Sequence, residues 1–293
     1  MSNLEISRAE RLDQYVIRQL PTLSRAAAAH LIDEGKVVIN GVPQLKAGYK
    51  IRPTDKIVID YQAEVLPVLP DIDLPIVFEN KDCVVINKPL GLLTHSKGAF
   101  NPEATVASWL GSHILSKSKP GNTLAIGDRA GIVHRLDRAT SGVMICAKTP
   151  EALSWLQKQF SQRKVKKTYV AVVSGTLDQQ QAIIDMPIER NPKKPQTFRV
   201  GANGKSAQTA YKVLQTNGQL SLLELQPTTG RTHQLRVHLE HLGHPIVGDT
   251  FYGGKPAERL FLHARSLELT LPNKQRKVFE IPTPKDFEEL LNT

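Results

Sequence analysis

The segment from Gly131 to Lys148, GIVHRLDRATSGVMICAK, concentrates the side chains best able to do chemistry. His134, Arg135, Asp137, Arg138, Thr140 and Ser141 crowd between two apolar runs. IVHRL is expected as a strand, DRATSG as a loop and VMICAK as a second strand. A charged loop held between buried strands is a common place for a site. A plain polar turn, with Thr140 and Ser141 bonded to backbone, would use the same residues.

A second cluster runs from Thr228 to Gly253, TTGRTHQLRVHLEHLGHPIVGDTFYG. Thr228 to Thr232 leads into an expected helix, HQLRVHLEHLG, stopped by Gly243. Arg231 falls at the helix start, where the helix dipole disfavours a cation, so it needs a carboxylate or phosphate partner. His233, His238, His241 and His244 raise the question of a metal, and His238 and His241 share a face. No HExxH pattern occurs, and no cysteine or carboxylate completes a ligand set, so no metal is expected. The third cluster is QKQFSQRKVKKTYVAV, where Lys158, Arg163, Lys164, Lys166 and Lys167 follow one another with no acid between. Such a run is either a solvated face or a track for phosphates. Tyr169 opens the next strand, and an aromatic ring beside cations suits an unstacked RNA base.

The rest of the chain must position these groups. Its 293 residues allow two domains and an ample core. Lys and Arg number 38 against 28 acids, a net charge of +10, which attracts polyanions, nucleic acid first. Cys83 and Cys146 sit in apolar runs and read as buried free thiols. No apolar stretch approaches the roughly 20 residues that span a bilayer. The polar start MSNLEISRAERLDQY lacks a signal-peptide core, so a cytoplasmic protein is expected.

Residues 1–62 read as a small module. Leu12, Tyr15, Val16 and Leu20 mark one face of a helix that Pro21 ends. Ser24 suits the N-cap of a second helix, which Gly35 closes. VVIN and KIVID read as strands, with Asn40-Gly41 a hairpin turn. Residues 63–75, AEVLPVLPDIDLP, read as a linker. Residues 76–293 mix strand runs (DCVVIN, GVMICAK, TYVAVVSG, AQTAYKVLQ, LSLLELQP) with helical runs (TVASWLGSHI, PEALSWLQKQF). The irregular spacing predicts an α+β domain around a largely antiparallel sheet.

Taken together, these motifs closely resemble the RluA family of RNA pseudouridine synthases over residues 76–293. HRLDRATSG resembles its catalytic motif, GRTHQLRVH its second and KKTYVAV its third. INKPLGLLTH, GHPIVGDTFYG and LFLHARSL match further segments. The first 62 residues resemble an S4-type RNA-binding domain, on Arg11-Leu12-Asp13, Ser24-Arg25, Gly35-Lys36-Val37 and Val38-Ile39-Asn40-Gly41. The resemblance implies that Asp137 is the nucleophile, attacking the sugar carbon or removing a sugar proton. It implies that Arg231 pairs with Asp137 and that Tyr169 stacks on a flipped-out uracil. Arg135, Arg138, Lys164, Lys166, Lys167 and Arg25 become candidate RNA contacts. The reaction breaks and remakes a glycosidic bond without redox or loss of a group, so no cofactor is expected. The implied substrate is bacterial large-subunit (23S) ribosomal RNA, and the implied state a monomer. Transfer RNA as substrate, a non-catalytic RNA-binding or ribosome-assembly factor, and a carboxylate hydrolase are the competing readings. The hydrolase would need a second carboxylate near Asp137. Asp249, in GHPIVGD, is the candidate and reads as part of a structural turn.

Overall fold

The computed structural model describes residues 10–20, 23, 25–61, 70–95, 103–117 and 131–292, with the backbone alone at 25, 26 and 115–117. These residues group into two compact units, one within 1–71 and 95–104, the other within 72–94 and 105–293.

The smaller unit contains β1 (Glu10–Arg11), α1 (Leu12–Gln19), α2 (Arg25–Asp33), β2 (Val37–Ile39), β3 (Val42–Pro43), β4 (Lys50–Ile51) and β5 (Ile57–Ile59). The expected apolar face of α1 is the buried one. Leu12 and Val16 are fully buried, and Tyr15 and Leu20 pack beside them against Ile32, Val37 and Ile51. Asn40 and Gly41 both take positive φ, 52° and 86°, and join β2 to β3 as a tight hairpin. Ser24 and the side chain of Arg25 lie outside the described residues, as does most of the expected linker, up to residue 69.

The larger unit has the expected α+β architecture. Its strands are β6 (Ile76–Glu79), β7 (Cys83–Lys88), β8 (Ser141–Ala147), β9 (Lys166–Ser174), β10 (Gln181–Asp185), β11 (Ile188–Arg190), β12 (Phe198–Val200), β13 (Gln208–Thr216), β14 (Leu220–Pro227), β15 (Leu262–Thr270) and β16 (Arg276–Glu280). Its helices are α3 (Val106–Lys117), α4 (Pro150–Ser161), α5 (Gln234–His241) and α6 (Lys285–Leu291). Nine strands form one sheet in the order β10-β13-β14-β9-β15-β8-β7-β6, with β16 added on β15. Every pairing in it is antiparallel except β15 with β8.

That parallel junction lies at the sheet's centre and starts where the Asp137 loop enters β8. His263 faces Ser141 and Ala264 faces Gly142. Gly142 has φ +123°, and a Cβ there would lie 2.2 Å from the Ala264 carbonyl oxygen. Glycine is therefore required where the two strands meet. One core, around Val84–Ile86, Val143–Cys146 and Leu110, packs under β7 and β8; a second, around Val170–Val173, Leu223 and Leu239, packs under β9 and β14. Cys83 and Cys146 are free and buried, and burial pushes their thiols up to about 11 and about 12, so both stay protonated. No described helix is long and apolar enough to cross a membrane.

IVHRL does not form the strand expected of it. Only Ile132 bridges a strand, opposite Cys146. The His134 ring supplies the reason, because its Nε2 accepts the Ile145 N–H at 3.1 Å, a bond that a strand carbonyl would otherwise take. Burial holds this imidazole down at about 3, and it stacks on Phe160. His134 is therefore a neutral structural acceptor.

Candidate active site

Asp137 lies in the loop that runs into β8, and both of its neighbours are held by the end of β7 and the segment after it. Thr94 Oγ1 donates to the Leu136 carbonyl at 2.7 Å, on one side of Asp137. On the other side the Arg138 carbonyl accepts from Gly91 N–H at 2.9 Å and from Lys88 Nζ at 3.4 Å. Lys88 is fully buried and also donates to the carbonyls of Pro89 and Leu92. Burial pushes its ammonium down to about 8, with Asp137 opposing the shift. A turn bond from Thr140 N–H to the Asp137 carbonyl, 3.0 Å, completes the loop. Lys88 is not among the site residues expected from the sequence; the signal for it is a lysine closing an apolar strand ahead of a proline.

Asp137 opens into a pocket lined by Arg135, Thr140, Lys167, Tyr169, residues 229–236 and Leu262. Tyr169 enters from β9, between Leu225 of β14 and Ala264 of β15. Burial, with Asp137 adding to it, holds its phenol above the ordinary range, so the hydroxyl stays protonated.

The expected ion pair between Asp137 and Arg231 is not formed. Arg231 precedes α5, and its Nε donates to the Ser206 carbonyl at 3.0 Å at the pocket's edge. The cation that faces Asp137 is Arg236, whose Nη1 lies 3.9 Å from Oδ2. Arg236 is buried in the first turns of α5, and its Nε and Nη2 bind both oxygens of Asp249 at 2.6 and 2.7 Å. Burial opposes its charge, but the hydrogen bonds and charge of Asp249 outweigh that and hold the guanidinium above its ordinary range. The local backbone decides which arginine turns inward. His233 takes a left-handed conformation, φ 56° and ψ 20°, and the helix begins only at Gln234. Gln234 fixes the turn before it, accepting from the Thr229 hydroxyl at 2.7 Å and from Arg231 N–H at 3.0 Å.

Two histidines of this region have other partners. His238 bonds Thr209 and the Met186 carbonyl, and His244 the Ser174 carbonyl. Among the described residues no group of three or more His, Cys, Asp or Glu side chains is placed to hold a metal ion. His233, which was not among the expected site residues, instead lies with Nε2 3.8 Å from Asp137 Oδ2.

The basic run is divided. Lys164 is exposed, Lys166 pairs with Glu268 at 3.6 Å, and Lys167 turns into the pocket. Lys167 Nζ donates to the Thr229 carbonyl at 2.6 Å, and burial pushes it down to about 8. Arg135 and Arg138 are exposed on the Asp137 loop.

Solved structures place this fold among enzymes that modify RNA. The human protein titled RNA Pseudouridylate Synthase Domain Containing 4 matches with a TM-score of 0.58 and 29% identity, over 74% of this chain and 92% of the human one. The chain belongs to the RNA pseudouridylate synthase family, whose model matches residues 82–241, and an S4 domain matches residues 10–57. It is 37% identical to an RNA pseudouridine synthase of Aquifex aeolicus, over 96% of this chain and 92% of that protein. It is 35% identical to ribosomal large subunit pseudouridine synthase D of Escherichia coli, over 96% and 90%. Like them, it is an isomerase that acts on RNA.

Proposed function

We propose that this enzyme isomerises uridines of large-subunit ribosomal RNA in the cytoplasm, as a monomer without a cofactor, and that Asp137 is its reacting carboxylate. The observation that carries the assignment is the placement of Asp137. Its loop is held from both sides by Thr94, Gly91 and Lys88, and its carboxylate faces Arg236 across a pocket it shares with Tyr169. A cation facing a half-buried carboxylate attracts and orients it. The hydrolase reading lacks its second acid, because Asp249 is buried with both oxygens bound by Arg236. Ribosomal RNA is favoured over transfer RNA by the similarity to ribosomal large subunit pseudouridine synthase D of E. coli. Incubation of the purified enzyme with large-subunit ribosomal RNA and transfer RNA transcripts tests this, and pseudouridine appearing in the transfer RNA alone would overturn the choice.

The target uridine must leave its stack, at a cost of a few kcal/mol that pocket and phosphate contacts offset. Tyr169 supplies the stacking surface, while Arg135, Arg138, Lys164 and Arg231 meet phosphates around the pocket. Tyr169→Phe keeps the ring, so RNA affinity should be unchanged; a fall in the single-turnover rate alone would assign the hydroxyl a proton-transfer role. Loss of affinity equal to that of Tyr169→Ala would contradict stacking as the ring's work.

Residues 1–62 act as an RNA anchor joined by residues 63–75 to the catalytic domain, 76–293. Deleting residues 1–70 should weaken RNA binding and flatten its dependence on salt, because phosphate contacts release counterions. Unchanged affinity and salt slope in the truncated enzyme would remove that role.

A further inference from the structure

His233 holds a strained position beside the reacting carboxylate. Its left-handed backbone is uncommon for a residue with a side chain. Its two ring nitrogens face different partners: Nε2 points to Asp137 Oδ2 at 3.8 Å, and Nδ1 lies 2.7 Å from the Tyr252 hydroxyl. That hydroxyl also accepts the backbone N–H of Phe198 at 2.9 Å, from the start of β12. Tyr252 is only 7% exposed and sits in the short helical turn Thr250–Tyr252.

Counting protons fixes the direction of the bond. The Phe198 N–H can only donate, so the phenol oxygen is an acceptor there. The phenol has one proton of its own to give. Donated to Nδ1, it leaves each of these groups with a partner. A proton on Nδ1 would instead make the phenol accept twice and strand its hydrogen in a buried site, the costlier arrangement.

We propose that Tyr252 is a positioning residue that locks His233 in the tautomer with the proton on Nε2, so that Asp137 meets a hydrogen-bond donor and not a competing base. The inference rests on Asp137 being the reacting group. Burial, first among the causes, holds the imidazole below its ordinary range; Asp137 and Asp249 oppose this, and Arg236 and Arg135 add to it. The ring is thus neutral at physiological pH, and tautomer rather than charge decides what it offers. Burial pushes the Tyr252 phenol up to about 12, so its proton is always available to Nδ1. The Phe198 and Tyr252 rings each meet the imidazole in a T-shaped contact, at 79° and 88°, and restrict its rotation. An N–H turned toward the carboxylate attracts it. Without the hydroxyl the ring can reverse, and an Nε2 lone pair facing a carboxylate is repulsive unless a proton lies between them. A proton held there would occupy the nucleophile.

Ring-nitrogen NMR of 15N-histidine-labelled full-length enzyme reads the tautomer directly, with the His233 signals identified by their loss in His233→Gln. The wild-type ring should be protonated on Nε2 and not on Nδ1. Tyr252→Phe should mix the two tautomers. In single turnover on a large-subunit ribosomal RNA transcript, its rate should fall several-fold, with RNA affinity retained. A wild-type ring protonated on Nδ1 overturns the inference. So does a Tyr252→Phe enzyme that keeps a single tautomer with Nε2 protonated, or one that mixes the tautomers yet turns over at the wild-type rate. The tautomer is read without turnover, so failure of the nucleophile assignment shows separately, as an active Asp137→Asn enzyme.

Discussion

Purified Asp137→Asn enzyme should form no measurable pseudouridine, while folding and binding RNA as wild type does. Asparagine matches aspartate in shape. The contacts that shape the loop are made by the carbonyls of Leu136, Asp137 and Arg138, which the substitution leaves in place. The side chain itself is half-buried, so its replacement neither opens a cavity nor strands a buried charge. What is lost is the ability to attack carbon or take a proton, and no other described carboxylate lines the pocket to replace it. Turnover and RNA affinity measured on the same preparation separate the chemical role from a structural one. Weak binding together with a lowered melting temperature would assign Asp137 to the scaffold.

The second large effect is expected at Arg236. Arg236→Met removes the partner of Asp249, which is 2% exposed, and the cation facing Asp137. Breaking a buried pair by removing one member costs about 3–5 kcal/mol. For a chain of this size that lowers the thermal midpoint by on the order of 10 °C. Activity should be nearly absent, because the reacting carboxylate loses the cation that faces it. Arg236→Lys should restore some stability but not the two-pronged bond to Asp249, which needs the guanidinium's fork. Arg231→Met should be milder in both respects, since Arg231 gives up a single bond to the Ser206 carbonyl. A stable, fully active Arg236→Met enzyme beside an inactive Arg231→Met enzyme would reverse the assignment of the two arginines.

Those two arginines show where the sequence stops being legible. GRTHQLR marks the segment as a site, and both Arg231 and Arg236 lie within it. Helical periodicity carried back through Thr232 puts Arg231 on the helix; only the left-handed backbone at His233 delays the helix and turns Arg236 inward. The sign of φ at a histidine is set by tertiary contacts, here the Tyr252 hydroxyl and the packing of Phe198. The strand expected at IVHRL fails for a similar reason, since a side chain, His134, replaces a backbone partner. Lys167 and Lys164 belong to one charged run, yet Lys167 lies in β9 two residues before Tyr169 and lines the pocket with it, while Lys164 precedes the strand and is exposed. By contrast, features governed by local chemistry were readable. They include the Asn40-Gly41 turn, the buried face of α1, the α+β class and the concentration of reactive groups between Gly131 and Lys148. The clamp of Thr94, Gly91 and Lys88 on the Asp137 loop joins segments more than 40 residues apart, and periodicity carries no information at that range.

The central claim is that the Asp137 pocket makes pseudouridine in large-subunit ribosomal RNA. The most direct measurement is a pseudouridine map of that RNA from cells lacking the protein, and from the same cells supplied with wild-type or Asp137→Asn enzyme. One or more pseudouridines should disappear with the protein, return with the wild type and stay absent with Asp137→Asn. A map that does not change when the protein is removed, or that Asp137→Asn restores, would contradict the account.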